Sequence, residues 1–290
     1  MRVLITGAGG QVGQALIRAL PDDWTAIPAD RSTLDIANSE SVARAIAHHR
    51  PDLIVNSAAY TAVDRAESEP DLAYRTNREG AAVLAAAAAQ DRIRFVHIST
   101  DFVFDGAVPV PYRPDDVTNP LNVYGASKLA GEQAVQQACP EAVIVRTAWV
   151  YGAKGANFLH TMLRLMRTKP EVRVVCDQVG APTHVRSLAQ ALVDLARGSA
   201  SGIHHYTQAG IASWYDFAAA IGEEATAAGL LDQAPLVRPI RSEAFPTPAR
   251  RPSFSVLDTA HTYAALGQMP DHWRVQLRKA IAELKEDSLG

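Results

Sequence analysis

The sequence predicts an α/β protein: a Rossmann-type, doubly wound parallel sheet with a smaller, mostly helical C-terminal substrate lobe. Short apolar runs alternate with helical segments through the first half of the chain, as in repeated β-α-β units. The runs are almost continuously apolar, which is typical of strands covered by helices on both faces. A glycine-rich segment directly follows the first run, where such folds place a ligand-binding turn.

The elements of the first half follow in regular order. Strands are predicted at 3–5, 26–29, 52–56, 94–98 and 142–146. Helices are predicted at 12–20, 39–49 and 80–90. This alternation continues to the last of these strands, so we assign residues 1–150 to a dinucleotide-binding domain.

Helical segments dominate after residue 151, at 158–167, 188–196 and 215–228. We therefore expect a substrate-binding lobe at 151–290, interleaved with the first domain, which a later strand near 202–207 completes. Proline clusters at 109–120 and 235–252 predict long ordered loops, because neither is rich in serine or glycine.

Composition and charge exclude several classes of protein. The longest apolar run covers nine residues, 81–89, whereas a spanning helix needs about 20, so no membrane partner is expected. The N-terminus has no signal-peptide pattern, which favours a cytoplasmic protein. A net charge of −3 offers no basic field for nucleic acid. Neither cysteine has a metal ligand at the usual spacing, so no metal site is predicted.

Three glycines at three-residue intervals, Gly7, Gly10 and Gly13, connect the first strand to the first helix. Without a Cβ, they permit a sharp turn, close approach of a pyrophosphate and tight helix packing. The helix N-terminus, with Gln11 and Val12 in its first turn, supplies N–H groups and a partial positive charge. The alternative is an ordinary strand-to-helix turn, but the position of the motif favours dinucleotide binding.

The end of the second strand carries Asp30 and Arg31, two residue types with opposite cofactor preferences. A carboxylate there binds the 2′-hydroxyl of NADH, and an arginine can pair with the 2′-phosphate of NADPH. Use of either cofactor is therefore expected, although Arg31 can also be a solvated ion-pair partner. Asp35 and Ile36 follow and are candidates for flanking the adenine.

Tyr124 and Lys128 are four residues apart and share one face of a predicted helix, and Thr100 comes two residues after the predicted strand 94–98. An isolated pair of this kind is usually a packed ring and a surface lysine. Here we expect the ammonium group to lower the pKa of Tyr124, making it a usable acid. Lys128 can also hold the nicotinamide ribose, and the Thr100 hydroxyl can bond the substrate oxygen.

The glycine motif, the strand-end Ser-Thr and the Tyr-x-x-x-Lys pair together resemble the extended short-chain dehydrogenase/reductase superfamily over essentially the whole chain. Within it, seven stretches in order resemble the dTDP-4-dehydrorhamnose reductase family. They are residues 7–13, 55–64, 99–106, 122–125, 146–152, 177–183 and 246–252.

The resemblance implies reduction of the C4 ketone of dTDP-6-deoxy-L-lyxo-4-hexulose to dTDP-L-rhamnose by NAD(P)H, the last step of that synthesis for cell-surface polysaccharide. By the resemblance, the catalytic residues are Thr100, Tyr124 and Lys128, and further cofactor contacts are Ala58, Ala59, Tyr60 and Thr61. Substrate contacts would be Val63, Thr100, Asp101, Tyr124, Trp149, Arg250 and Arg251. A core tryptophan and a solvated basic turn remain alternatives for Trp149 and for the two arginines.

The chain departs from the family pattern at a few positions. Phe102 replaces a usual tyrosine, and Phe254 and Val256 stand where polar residues are common. Some members form magnesium-linked dimers through glutamates, one of them at the position held here by Ala15. We therefore expect no magnesium, and a monomer or a dimer that no metal bridges.

Two other functions fit parts of the pattern. Another nucleotide-sugar reductase or an epimerase would share the cofactor site, but an epimerase returns the hydride that a reductase consumes. A non-catalytic relative, like the regulatory subunit of methionine adenosyltransferase, would act by binding a partner. Intact Thr100, Tyr124 and Lys128 argue against that second alternative.

Overall fold

The fold is built on one parallel sheet with helices on both faces, seen in a computed structural model that describes residues 1–233 and 235–289, with side chains to residue 286. The strands are β1 (Arg2–Thr6), β2 (Thr25–Ala29), β3 (Leu53–Asn56), β4 (Arg94–Thr100), β5 (Val143–Thr147), β6 (Val150–Tyr151), β7 (Glu171–Val175), β8 (Val179–Gly180), β9 (Thr183–His184), β10 (Gly202–Tyr206), β11 (Ala212–Ser213) and β12 (Leu236–Ile240).

The helices lie between these strands in sequence. They are α1 (Gln11–Ala19), α2 (Ser39–His49), α3 (Val63–Ala66), α4 (Pro70–Tyr74), α5 (Gly80–Gln90), α6 (Val123–Ala138), α7 (Phe158–Thr168), α8 (Val185–Arg197), α9 (Trp214–Ala227), α10 (Ala260–Leu266) and α11 (Trp273–Leu289). A π-helical segment, Arg75–Glu79, joins α4 to α5, and short 3-10 turns lie at Asp101–Val103 and Ser242–Ala244.

The main sheet has the strand order β10-β5-β4-β3-β1-β2, and all its neighbours are parallel. The chain adds β2 on one side of β1 and then returns to add β3 on the other. The strand order therefore reverses between β1 and β3, and ligands of such sheets bind outside the carboxyl ends of the strands at that point. The predicted doubly wound α/β class is confirmed.

Apolar residues fill both faces of the sheet. One face packs Val3 and Ile5 against α1 and α8, with Leu192 at its centre. The other packs Leu4 against α2, α5 and α6, with Leu84 fully buried. The small alanine side chains of α5 allow this helix to lie close to the sheet. Burial on both sides explains why the strands read as continuous apolar runs.

A third core cluster joins α7, α9 and α11, around Leu159, Phe217 and Leu277. Beside it are three short strand pairs, β7–β12, β6–β9 and β8–β11, which the sequence did not predict. In particular, β12 lies inside the segment 235–252, which we expected to be a loop. The strands β6, β8, β9 and β11 have two residues each, too few to show a period, and Pro239 inside β12 favoured a loop.

Each predicted strand and helix of the first half overlaps an observed element, and the bounds of α2 and α5 match the prediction. The strand near 202–207 is present as β10 at the edge of the sheet, beside β5. The division of the chain at residue 150 stays a prediction. Within the described residues, no helix combines the length and apolarity needed to span a membrane.

Candidate active site

A cleft of about 1190 Å³ opens at the carboxyl ends of the central strands. It brings together most of the residues that the sequence singled out: Gly7, Gly10, Gln11, Val12, Gly13, Asp30, Arg31, Asp35, Ile36, Ala58, Ala59, Thr61, Val63, Thr100, Asp101, Tyr124, Lys128, Trp149 and Arg251. Tyr60 and Arg250 do not line it. The roles of all these residues stay predictions.

The glycine turn fits a bound pyrophosphate. Gly7 has a φ of +66°, and a Cβ there would lie 2.7 Å from the backbone nitrogen of Ala58. A Cβ on Gly13 would collide with the carbonyl oxygen of Gly7, so α1 can pack this closely only with glycine. No described side chain caps α1 at Gly10, and its first turn holds no acidic residue. The N–H groups of that turn are therefore available to an anion.

The end of β2 supports the use of either cofactor. Asp30 Oδ1 accepts hydrogen bonds from Ser32 N at 2.9 Å and Ser32 Oγ at 2.6 Å, and Thr33 N adds a third at 3.2 Å. These bonds lower the pKa of Asp30, so it is ionised at neutral pH. They engage one carboxylate oxygen and leave Oδ2 to a ligand, while Arg31 is exposed beside it.

Hydrogen bonds from residues outside the cleft hold the segment after β3, around Tyr60, in place. Tyr60 is buried and its hydroxyl donates to Glu69 Oε2 at 2.5 Å, so its ring points away from the cleft. Asn77 Oδ1 accepts from the backbone nitrogen of Tyr60 at 2.8 Å, and Asn77 Nδ2 donates to Ser127 Oγ at 2.9 Å. Asn77 thus ties this segment to α6 from the π-helical turn, a role that the sequence analysis missed.

The side chains of Tyr124 and Lys128 project from the first turns of α6. Asn122 caps this helix, accepting from the backbone nitrogen of Gly125 at 2.8 Å. Lys128 Nζ donates to the carbonyl oxygen of Ile98 at 2.6 Å, which places its ammonium group at the end of β4. At that strand end, Thr100 Oγ1 donates to Asp101 Oδ1 at 3.0 Å. The predicted catalytic residues therefore meet at one edge of the sheet.

Burial dominates the electrostatics of these groups. It raises the pKa of Tyr124 to about 12, although the hydrogen bond with Thr100 partly opposes this. It lowers the pKa of Lys128 to about 8 and raises that of Asp101 to about 6. The expectation of a lowered pKa for Tyr124 is therefore wrong, because desolvation of the phenolate is the largest influence and outweighs the influences that oppose it. Tyr124 is neutral at pH 7, the form that can donate a proton.

The loop after β12 reaches the cleft from the C-terminal half. Arg251 Nη2 donates to Asp64 Oδ2 at 2.8 Å, and its Nη1 donates to Asp64 Oδ1 at 3.0 Å. The pair lowers the pKa of Asp64 and holds Arg251 against the cleft. Arg250 is exposed, and its carbonyl oxygen accepts from Asn122 Nδ2 at 2.7 Å. This loop therefore docks on the N-terminus of the helix that carries Tyr124.

The residues that depart from the family pattern make ring, backbone or burial contacts in the structure. The Phe102 ring meets the Tyr124 ring edge-on, with centroids 5.6 Å apart. Phe254 forms a bridge with Val179, and the carbonyl oxygen of buried Val256 accepts from Tyr112 N at 2.8 Å. Ala15 is buried in α1. In the described part of the chain, no three His, Cys, Asp or Glu residues cluster as metal ligands would.

The cleft also has walls that the sequence analysis did not name: Leu72, Arg75, Thr76, Thr147 and Trp214. Thr147 could have been found, because it directly follows the predicted strand 142–146; in the structure it ends β5 opposite Thr100. Arg75 pairs with Asp35 at 2.7 Å across 40 residues of chain. Trp214 comes from α9, and no local pattern connects it to the cleft.

A doubly wound sheet with a glycine turn, a Tyr-x-x-x-Lys helix and a strand-end threonine around one cleft defines an extended short-chain dehydrogenase/reductase. The family model described as RmlD substrate binding domain matches residues 1–286. The chain belongs to the dTDP-4-dehydrorhamnose reductase family.

Individual relatives are similar over nearly the full length. A dTDP-4-dehydrorhamnose reductase of Aggregatibacter actinomycetemcomitans is 41% identical, over 97% of this chain and 99% of the relative. The crystal structure of a dTDP-4-dehydrorhamnose reductase from Clostridium acetobutylicum has a TM-score of 0.93 at 40% identity, covering 98% of this chain and 100% of that one. The enzyme from Bacillus anthracis, solved in complex with NADP, has a TM-score of 0.92 at 39% identity, covering 97% and 99%.

Proposed function

We propose that this protein is an NAD(P)H-dependent oxidoreductase that reduces the C4 ketone of dTDP-6-deoxy-L-lyxo-4-hexulose to dTDP-L-rhamnose, for cell-surface polysaccharide. One observation carries the proposal: a single cleft joins the glycine turn to Thr100, Tyr124 and Lys128. The names and full-length similarity of the relatives support the same reaction.

The cofactor site is formed by the glycine turn and the ends of β2 and β3. The uncapped first turn of α1 receives the pyrophosphate, and Asp30 or Arg31 contacts the adenosine ribose or its phosphate. The bound NADP of the Bacillus anthracis relative supports this assignment. Both residue types are present, so we propose that the protein accepts NADPH and NADH.

When bound, the reduced nicotinamide supplies a hydride, which forms the new C–H bond at C4 of the sugar as the carbonyl π bond opens. Tyr124 donates its phenolic proton to the C4 oxygen, since burial keeps that proton in place at neutral pH. The Thr100 hydroxyl orients the same oxygen, and Lys128 holds the ribose and stabilises the tyrosinate that remains. A proton from solvent then restores Tyr124.

The residues that recognise the substrate line the side of the cleft opposite the cofactor site. Trp149 and Val63 contact the deoxysugar through apolar surface, and Asp101 lies at the base of the site beside Thr100. Arg251, held by Asp64, faces the cleft and contacts the diphosphate. Tyr60 and Arg250 act indirectly, by fixing the backbone on either side of the cleft.

The remaining assignments follow from this reaction. The partner is a dTDP-sugar, and neither a nucleic acid nor a membrane takes part. We place the protein in the cytoplasm, where nucleotide sugars and reduced cofactors are found, as a monomer or a dimer that no metal bridges.

The test is to mix the protein with dTDP-4-keto-6-deoxy sugars and each reduced cofactor, and to follow the absorbance of the reduced nicotinamide. Oxidation of the cofactor in proportion to the sugar supports the proposal. Isomerisation without net oxidation would identify an epimerase, and no turnover with any such sugar would favour a non-catalytic relative.

A further inference from the structure

Two indole rings form a stack on the substrate side of the cleft. The centroids of Trp149 and Trp214 are 3.5 Å apart, and their planes are inclined by only 7°. Both residues line the cleft, yet Trp149 follows β5 and Trp214 begins α9, so the stack joins the sheet to the C-terminal helices. One face of the Trp149 ring is therefore covered by protein.

The backbone at Trp149 is strained. Its φ is +47°, a left-handed value that is a genuine outlier for a bulky residue. Such strain persists only where surrounding contacts fix it, and it concentrates at functional sites. The carbonyl oxygen of Trp149 accepts from Thr183 N at 3.1 Å, which holds this conformation through the β6–β9 pair.

Gly180 confines the same ring from another side. A Cβ there would lie 2.7 Å from Trp149 Cε2 and 2.9 Å from Nε1, inside any normal contact. Gly180 pairs with Ala212 in the β8–β11 ribbon, directly before Trp214. The ribbon thus carries the glycine that leaves room for the Trp149 indole and leads directly into Trp214, which stacks on that indole.

Trp214 is itself supported from behind. Its ring lies 4.6 Å from that of Phe158, which stacks in turn on Phe217 in the buried cluster of the C-terminal helices. These contacts hold Trp214 in place as a platform for the Trp149 ring. Trp149 lines the cleft, so the part of its indole that Trp214 and Gly180 leave uncovered offers apolar surface to a ligand there.

We propose that Trp214 is a positioning residue for sugar-nucleotide recognition, which acts by holding Trp149 against Gly180 so that its ring meets the sugar. The inference rests on the proposed function, in which Trp149 contacts the substrate. Loss of the platform leaves Trp149 free to move, so the substrate must order the ring when it binds. The cost falls on substrate affinity, because the proton donor and the cofactor site are untouched.

The test uses the full-length protein and the variants Trp214→Ala, Trp214→Phe and Gly180→Ala, with Trp24→Phe as the matched control. The guanidinium group of Arg197 lies over the Trp24 ring, and Trp24 does not line the cleft. We expect Trp214→Ala and Gly180→Ala to raise the KM for the sugar nucleotide about five- to tenfold, the size of an aromatic contact. The kcat and the Kd for NADPH should stay near their wild-type values, and Trp214→Phe should restore most of the affinity.

Circular dichroism separates positioning from general damage. Coupled indole transitions should give the wild-type protein a couplet that is lost in Trp214→Ala and kept in Trp24→Phe. Loss of the couplet with an unchanged KM would overturn the inference. If Trp214→Ala does not fold, Gly180→Ala decides the question by the same KM readout. A wild-type protein that does not reduce the sugar would remove the proposed function, and this inference with it.

Discussion

At the scale of single residues, the proposed reaction depends on the proton that burial keeps on Tyr124. A phenol with a pKa of about 12 is a reluctant acid in water, but it is fully protonated when the substrate arrives. An alkoxide formed at C4 is a far stronger base than a phenolate, so transfer to it is downhill. Burial thus serves the direction of reduction.

Replacing Tyr124 with phenylalanine should lower kcat by roughly a hundred- to ten-thousandfold, the usual contribution of a positioned acid. The Kd for NADPH, measured by fluorescence titration, should change little because the ring remains. Tyr74→Phe is the matched control, since Tyr74 is half-buried outside the cleft. Undiminished ketone reduction by Tyr124→Phe would contradict the assigned proton donor.

The pKa of Lys128 predicts how kcat/KM depends on pH. Burial lowers its pKa to about 8, so the ammonium form prevails below that pH and the neutral amine above it. In the proposed reaction the ammonium form of Lys128 stabilises the tyrosinate, so kcat/KM should fall as the pH increases above about 8. A pH–rate profile that stays flat to pH about 9.5 would show that the charge of Lys128 is not required.

At the scale of elements, α6 is held in place by a buried ion pair one turn beyond Lys128. Arg146 of β5 donates to both oxygens of Glu132, at 2.9 Å and 2.7 Å, and their side chains are 3% and 1% exposed. Arg146 lies opposite Ser99 in the sheet, beside Thr100. The pair therefore fixes the distance between the helix that carries Tyr124 and the strand that carries Thr100.

Glu132→Gln should lower the free energy of unfolding by about 3 to 5 kcal/mol, because it leaves the Arg146 charge buried without its partner. Glu171→Gln is the matched control: Arg238 binds Glu171 with the same two-bond geometry, at 2.9 Å and 2.8 Å, but near the surface. There the loss should stay below about 1 kcal/mol. Equal losses in urea titrations of the two variants would refute the distinction.

The same scale shows how far the sequence predicts the structure. The strands and helices around the sheet were predictable. Strands buried on both faces are continuous apolar runs, and helices with one buried face show apolar residues at helical spacing. The strands β8 and β11 were not predictable, since two residues carry no period. Asn77 and Trp214 were also missed. Both contact site residues that are distant in sequence, and no local pattern indicates such contacts.

At the scale of the whole molecule, the cleft is closed by parts of the chain that are distant in sequence. The glycine turn lies near the N-terminus, the loop with Arg251 near the C-terminal helices, and Trp214 between them. The meeting of the glycine turn and Arg251 could be anticipated only through resemblance to a family, because pattern analysis predicts elements and not their tertiary contacts. The pKa of Tyr124 was mistaken for the same reason, since burial depends on everything that surrounds the ring.

The assembly of the molecule gives a further prediction. Ala15 replaces the glutamate through which some relatives are bridged, so added EDTA should leave the sedimentation coefficient unchanged. Sedimentation velocity with and without magnesium measures this directly. A dimer that dissociates on chelation would contradict it.

The central claim is that the protein moves a hydride from a nicotinamide cofactor to C4 of a dTDP-4-keto-6-deoxy sugar. NADPH deuterated at the transferred position of the nicotinamide tests it, with the product analysed by mass spectrometry and NMR. We predict one deuterium at C4 of the sugar for each cofactor oxidised. A sugar product without deuterium, or with deuterium at another carbon, would contradict the account.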